Sequence, residues 1–194
     1  MPVFFMAKHV YTTHISRMYN VQKSPRARNG DFMNSTDTLT TLFNHNLWAN
    51  LGLLEVCAGL SAEQLNASLT GTYGSIHDTL QHIATAERSY FSRISTGVPY
   101  RRPQDAPPLT IVEMSESLRA SGAGLIEWAP KIQPGDTVQV DWEGTPRDLP
   151  KTILLTQAID HATEHRSQVM AILTQLGIQP PELDGWMYFD GLGE

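Results

Sequence analysis

The fold of this 194-residue chain is decided by the stretch Leu154-Leu-Thr-Gln-Ala158-Ile-Asp-His161-Ala-Thr-Glu-His165-Arg-Ser-Gln-Val169-Met-Ala-Ile172. Its apolar residues and its two histidines recur every three or four positions, which is the spacing of one face of an α-helix. The stretch therefore predicts a long helix over residues 150–176, in which both histidines point the same way, toward the core.

Three other segments, residues 38–58, 75–94 and 110–129, have the same periodicity and recognisable ends. Ser75 and Thr110 are each followed three residues later by an acidic residue, a capping-box pattern that favours the start of a helix. Four long amphipathic segments with such ends predict an all-α fold, a four-helix bundle.

A short β-hairpin is predicted immediately before the last helix. Residues 137–149 alternate apolar and polar side chains around Glu143-Gly144, a dipeptide suited to a tight turn. The tail, residues 180–188, lacks a helical pattern and is predicted to be non-helical.

The composition limits the classes of function. Hydrophobic residues make up 41% of the chain, yet no apolar run approaches the ~20 residues of a membrane-spanning helix. The net charge is −6, and residues 31–194 alone carry −11, which argues against binding to nucleic acid. The single cysteine, Cys57, excludes an intramolecular disulfide and a cysteine-rich zinc site, and it fits a reducing, cytoplasmic location.

The N-terminal segment differs from the rest of the chain. Residues 1–30 hold five basic residues, no acidic residue and no clean periodicity. Such a segment suits a transit peptide, a disordered basic arm, or an extension upstream of a chain that starts at Met33; its scarcity of serine disfavours the first. The predicted organisation is a basic segment over residues 1–33, disordered or an extended start, and one helical domain over residues 34–194.

Two histidines on one inward helix face need partners, and a divalent metal ion would satisfy both. A third ligand is expected from a different helix, and the second segment offers His77 and His82. His82 is the better candidate because it lies near the middle of its helix, whereas His77 lies in the first turn. His45 is interpreted as a fourth ligand, a hydrogen-bond donor to a ligand, or a surface residue, with the last two favoured.

The last helix also matches the inverted zinc-protease pattern His161-x-x-Glu164-His165, in which the glutamate is the general base. However, only 29 residues follow His165, and they offer no third ligand on a predicted helix. Glu164 points about 100° away from His165 on a helix and is interpreted as a solvated charge. Arg166 and Gln168 are expected at the surface or as anchors for an anionic substrate.

His82, His161 and His165 are thus the predicted ligands of a divalent metal ion. Three neutral imidazoles leave coordination positions open, as in catalytic rather than structural sites. Imidazole suits zinc, nickel and iron(II), so the ligand type does not select the metal. The pattern assigns no catalytic residue.

Three motifs of the chain resemble the DinB/YfiT-like family of metal-dependent enzymes. They are Phe43-Asn-His45-Asn-Leu-Trp-Ala-Asn50, Ser75-Ile-His77-Asp-Thr-Leu-Gln-His82-Ile-Ala-Thr-Ala-Glu87 and His161-Ala-Thr-Glu164-His165-Arg166-Ser-Gln168. The resemblance covers about residues 37–190. The second and third motifs together are specific, whereas the basic N-terminal segment departs from the family pattern.

The resemblance implies a four-helix bundle of the DinB/YfiT-like type with a three-histidine divalent-metal site, matched at His82, His161 and His165. It also implies a homodimer that acts on a small-molecule substrate. Relatives include S-transferases and isomerases that use mycothiol, bacillithiol or glutathione. The resemblance therefore implies a low-molecular-weight thiol as cosubstrate.

Three functions stay open at this point: a thiol-dependent S-transferase, a metal-dependent hydrolase, and a non-catalytic metal-binding protein of stress response or interaction. A hydrolase needs a base near the metal, and helical periodicity places neither Glu87 nor Glu164 well for that role. The S-transferase is therefore the leading expectation.

A chain shortened to begin at Met33 is expected to fold and to bind metal as well as the full chain does, because residues 1–32 lack an amphipathic pattern. The melting temperature and the metal content of the two chains check this. Loss of solubility or of metal from the shortened chain would show that the segment packs on the helices.

Overall fold

The computed structural model describes residues 37–192. The predicted basic segment, residues 1–33, lies outside the described residues. Residues 37–181 form one compact unit, and residues 182–192 are the described part of a second unit. Within residues 37–192, no helix combines the length and the apolarity that a bilayer crossing requires.

The first unit is a bundle of four long helices joined by short elements. In chain order its helices are α1 (Thr38–Ala58), α2 (Ala62–Leu65), α3 (Ile76–Thr96), α4 (Ile111–Trp128), a 3-10 turn (Ala129–Lys131) and α5 (Lys151–Gln175). Helix α1 contacts α4 and α5, and α3 contacts the same two helices. Helices α1 and α3 therefore face each other across the bundle, and the predicted all-α four-helix bundle is confirmed.

The helix starts follow the capping patterns of the sequence. The Ser75 hydroxyl accepts a hydrogen bond from the backbone N–H of Asp78 at the start of α3. Thr110 and Glu113 form a complete capping box at the start of α4. Gly97 ends α3 in the left-handed conformation, with φ of 81°, which a glycine adopts without strain.

A β-hairpin precedes α5, as predicted. Strands β1 (Thr137–Trp142) and β2 (Thr145–Pro150) pair antiparallel. The turn residues Glu143 and Gly144 have φ of 53° and 82°, which is the type I′ geometry of a two-residue hairpin. The hairpin buries Val138 and Val140 in a core cluster with residues from the first turns of α1 and α5 and the last turns of α3 and α4. It therefore closes one end of the bundle.

The prediction of a non-helical tail was wrong. Gly185–Gly191 forms a short helix, α6, in the second unit. The Asp184 carboxylate caps it by accepting hydrogen bonds from the backbone N–H groups of Trp186 and Met187, at 2.8 and 3.0 Å. Seven residues are too few for helical periodicity to appear in the sequence, although Asp184 is itself a start signal.

A buried polar network joins the four long helices. The Glu87 carboxylate on α3 accepts hydrogen bonds from the amides of Asn46 and Asn50 on α1, at 2.9 Å each, and from the Ser121 hydroxyl on α4, at 2.7 Å. Arg166 on α5 donates to the amide oxygens of the same two asparagines, at 2.8 and 2.6 Å. All five side chains are buried, so each long helix contributes at least one polar group to the interior.

The network explains why the expected surface position of Arg166 was wrong. Arg166 is only 4% exposed, and its guanidinium donates to two buried amides and to the Thr163 hydroxyl at 2.9 Å. Burial lowers the pKa of Arg166 to about 10. The charge of Glu87 opposes this shift, because it favours the guanidinium cation. Burial likewise raises the pKa of Glu87 to about 7, although hydrogen bonds from Ser121 and the asparagines and the charge of Arg166 oppose that rise.

The pKa of Glu87 makes the stability of the bundle depend on pH. Because the folded-state pKa, about 7, lies above the usual value of 4.5, the folded state holds a proton that the unfolded state has released between these values. This stabilising contribution is therefore lost as pH rises from about 4.5 through about 7. The loss is on the order of 3 kcal/mol for a fully buried group.

The Glu87→Gln variant should not show this loss of stability, because a glutamine stays neutral at every pH. A glutamine fits the same partners, because Ser121 can accept from the amide while donating to the Ser117 carbonyl, 3.0 Å away. Urea unfolding of both proteins from pH 5 to pH 8 measures the effect. The free energy of unfolding of the wild type should fall with rising pH relative to that of the variant, and parallel curves would contradict the assignment.

Candidate metal centre

Helices α3 and α5 bring the three predicted histidines together. His82 lies in the second turn of α3, and His161 and His165 lie one turn apart on α5. The Nε2 atoms of His82 and His161 are 2.8 Å apart, and one ring nitrogen from each of the three histidines lies within 4.8 Å of the others. His165 is buried, and the other two are half-buried.

The surroundings of His161 and His82 favour their neutral form, which is the form that ligates metals. Burial lowers the pKa of His161 to about 4, and the neighbouring His82 and His165 lower it further in the same direction. The pKa of His82 is also lowered, first by burial and then by His165. Because a neutral imidazole carries a lone pair on one of its ring nitrogens, His82 and His161 each keep one nitrogen able to ligate a metal.

Gln168 fixes the orientation of His165. The Gln168 side-chain oxygen lies 3.0 Å from His165 Nδ1 and also accepts the backbone N–H of Tyr73 at 2.9 Å. Because this oxygen is an acceptor, it assigns the ring proton of His165 to Nδ1 and leaves Nε2 as the free lone pair. A hydrogen bond of this kind is the usual way that proteins select the ligating nitrogen of a histidine.

The loop between α2 and α3 covers His82 with an aromatic ring. The Tyr73 ring stacks on the His82 ring with a centroid distance of 4.0 Å and an interplanar angle of 12°, and it meets the His165 ring edge-on at 5.3 Å. An isolated bridge between Ser68 and Ser75 closes this loop. Tyr73 itself is 55% exposed, so the cluster lies directly beneath an accessible side chain.

An open cleft of about 490 Å³ leads to His82, within the size range of small-molecule sites. Its other lining residues are Tyr73, Gly74, Asp78, Gln81 and Thr85. A second cleft, of about 540 Å³, contains none of the three histidines but shares Thr85 with the first. We assign the smaller cleft to the site because it is the one that reaches the histidine cluster.

The remaining candidates lie elsewhere. A ring nitrogen of His77 contacts the Leu109 carbonyl at 2.9 Å, and the His45 ring packs at 5.7 Å from the Trp48 ring. Neither belongs to the cluster. Glu164 is exposed and receives a long contact of 3.5 Å from the Gln168 amide, so it does not take the place of the protease base.

Sequence reasoning missed several residues around the site. Tyr73 lies in a loop without periodicity, and only the fold brings it over His82. The roles of Asn46 and Asn50 could have been predicted, because two amides spaced i, i+4 on an apolar helix face need buried hydrogen-bond partners. Gln168 was expected as a surface group or substrate anchor, whereas it contacts His165.

The donor set fits a divalent cation. Two nitrogens bound to one tetrahedral zinc ion at about 2.0–2.1 Å lie roughly 3.3 Å apart. The 2.8 Å separation of His82 and His161 is shorter, so a small movement of the two rings makes room for an ion. The half-buried His82 ring lines an open cleft, which gives an ion an entry path to the site.

Comparison with known proteins identifies the family. A sequence profile of the DinB family matches residues 33–191, and the chain belongs to this family. The structure is similar to the crystal structure of a DinB-like protein from Bacillus cereus, with a TM-score of 0.55 and 19% sequence identity, over 74% of this chain and 94% of that chain. At this identity the likeness shows the shared fold. No curated protein matches the chain.

Replacing any one of the three clustered histidines should weaken metal binding strongly, because each supplies one of three nitrogens. The measurement is the zinc content of His82→Ala, His161→Ala and His165→Ala after dialysis against a metal buffer, by elemental analysis. The control is His77→Gln, which changes a histidine of α3 outside the cluster. Full metal content in His82→Ala would remove His82 from the ligand set.

Proposed function

We propose that this member of the DinB family binds one divalent metal ion (zinc, nickel or iron) at His82, His161 and His165 and transfers a low-molecular-weight thiol to an electrophilic small molecule. One observation carries the proposal. Within residues 37–192, the one group of three metal-ligating side chains consists of imidazoles alone.

The ligand set is compatible with an anionic substrate. Histidine side chains bring no negative charge to the site, so a thiolate that enters the cleft meets no electrostatic repulsion from the three ligands. A bound dication would stabilise the thiolate form of a small thiol and so increase the nucleophile near neutral pH. The chain's own residues then have to admit and orient that thiol.

The chain itself supplies no competing nucleophile of this kind. Cys57 is fully buried in α1, and burial raises its pKa to about 12, so its thiol stays protonated. The reactive sulfur therefore has to arrive with a substrate. In the proposed step this sulfur forms a bond to an electrophilic carbon, the bond to a halide or epoxide oxygen breaks with its electron pair, and the thiol proton has already passed to solvent.

Tyr73 is placed to orient what enters the cleft. Its ring forms one wall above His82, and no residue of the described part of the chain accepts or donates a hydrogen bond at its hydroxyl. That hydroxyl is therefore free to bond to a substrate. The Gln168 contact to the backbone of Tyr73 couples the position of this wall to the orientation of His165.

A metal-dependent hydrolase is the second candidate, and Asp78 is the observation that favours it. Asp78 lines the same cleft as His82 and lies one helical turn before it on α3. Its carboxylate accepts a hydrogen bond from the Ser75 hydroxyl at 2.7 Å and is exposed enough to act as a base toward water. Glu87 does not compete for this role, because its oxygens are occupied in the buried network.

Small thiols should change the visible spectrum of the protein loaded with cobalt(II). Glutathione, bacillithiol and mycothiol are the probes, and direct sulfur coordination should add intense thiolate-to-metal absorption. Formation of a thioether from a haloarene or an epoxide should then depend on His82, His161 and His165. The Cys57→Ala variant is the control, because it removes the chain's own thiol and should keep both signals.

Other outcomes separate the alternatives. If no thiol changes the spectrum, while an activated ester is cleaved and Asp78→Asn abolishes the cleavage, the hydrolase assignment is correct. Metal binding without either reaction would point to a metal-binding protein without turnover. The proposal also includes a homodimer, which sedimentation equilibrium measures directly.

A further inference from the structure

We infer that the buried polar network positions the metal site, because two asparagines of α1 set both the spacing and the rotation of the ligand-bearing helices α3 and α5. We call Asn46, Asn50, Glu87 and Arg166 the amide clamp. The inference rests on the proposed three-histidine site and adds residues that touch neither the metal nor the substrate.

Each asparagine of the clamp bridges α3 and α5 with the two ends of one amide. The Nδ2 atoms of Asn46 and Asn50 both donate to Oε2 of Glu87, at 2.9 Å. Their Oδ1 atoms both accept from Nη1 of Arg166, at 2.8 and 2.6 Å. Because an amide is planar and its donor and acceptor ends cannot exchange roles, two parallel amides define how far apart Glu87 and Arg166 lie.

On α5 the clamp and the metal site use adjacent residues. Arg166 directly follows His165, and successive residues of a helix point about 100° apart. His165 therefore faces the cluster while Arg166 faces the bundle interior. A rotation of α5 by about 10° would move atoms at the helix surface by on the order of 1 Å, since such atoms lie about 5–6 Å from the axis. Ligand sites tolerate only about 0.5 Å of displacement.

On α3 the clamp holds the residue that follows His82 by five positions. A single carboxylate oxygen, Oε2 of Glu87, accepts hydrogen bonds from both amides. Helices α3 and α5 are therefore both held by the same two amide groups of α1. Helix α1 provides none of the clustered histidines. It therefore acts as a fixed reference for the two helices that do.

Charge separation within the clamp supports a positioning role. Glu87 and Arg166 are only 2% and 4% exposed, yet their charged groups do not come within 4.0 Å of each other. Within residues 37–192, the ion pair that meets this distance is the surface pair Lys131–Glu127. The asparagines stand between the two buried charges instead of allowing them to meet. A direct pair would satisfy the charges with fewer orientational constraints, whereas the intervening amides fix direction as well as distance.

The chain contains a matched control for a merely structural role. Ser121 donates to the same carboxylate, through Oε1 at 2.7 Å, but unlike the asparagines it has no hydrogen bond to Arg166 and so does not bridge α3 to α5. Removal of the Ser121 hydroxyl should lower stability without changing the geometry of the metal site. Removal of an asparagine amide should change both.

The test compares Asn50→Leu and Asn50→Ser with Ser121→Ala. The first variant replaces the amide with an apolar group of similar size. The second keeps a small polar group that water can bridge, and it serves as the test protein if the leucine variant does not fold. For each protein we would measure the melting temperature without metal, the dissociation constant for cobalt(II) and the ligand-field spectrum. Both Asn50 variants should bind cobalt(II) about 10–100-fold more weakly, as for other residues that orient ligands, with shifted bands.

A second measurement does not depend on metal. Nitrogen-15 spectra of the metal-free protein, labelled at histidine, report the contact between the ring nitrogens of His82 and His161. This contact should be lost in the Asn50 variants and kept in Ser121→Ala. If the wild type binds no metal, the proposed function fails, and these spectra still decide on the clamp.

The inference would be overturned by variants that differ only in stability. In that outcome an Asn50 variant has a lowered melting temperature. Its cobalt(II) dissociation constant, its ligand-field bands and its histidine spectrum are nevertheless the same as those of Ser121→Ala. The amide clamp would then contribute to folding alone.

Discussion

The fold depends on the burial of two ionisable side chains, Glu87 and Arg166, that do not touch. Removing Glu87 and Arg166 from water is costly, and the cost is tolerable only where every polar atom finds a partner. The partners come from α1 and α4, so the bundle satisfies the hydrogen bonds of these two side chains only when all four long helices are in register. Within residues 37–192, no buried side-chain nitrogen or oxygen lacks a hydrogen-bond partner. Apolar packing brings the helices together, and this network selects one of the many arrangements that packing alone would allow.

The same helix serves this interior network and the candidate metal centre. Because successive residues on α5 differ in direction by about 100°, Arg166 enters the bundle interior while His165 faces the histidine cluster. A similar division holds on α3, where His82 lines the cleft and Glu87 is buried. The helix faces that carry the histidines are therefore held in place by the packing of the core. The site is built on rigid helices, which position side chains more precisely than a loop does.

Much of this arrangement could be predicted from the sequence, because it follows from local patterns. The pair His161 and His165 shows helical spacing directly, and Glu143-Gly144 between alternating residues indicates a type I′ hairpin. The position of Arg166 could not be predicted in the same way. A charged residue is usually exposed, and its burial depends on partners from a helix about 120 residues earlier in the chain, as the bonds to Asn46 and Asn50 show. Tyr73 also escaped prediction, because a loop has no period.

The chemistry of the site is decided less by the fold than by what the cleft offers. A bundle shared at 19% identity shows architecture only, and many reactions are carried out on one fold. The acidic side chain among the residues that line the cleft is Asp78, one turn from His82. If α3 supplies a base, water is the natural nucleophile. If Asp78 serves only the start of α3, where Ser75 already bonds to it, the nucleophile has to carry its own charge into the site, as a thiolate does. The role of the Asp78 carboxylate therefore distinguishes hydrolysis from thiol transfer.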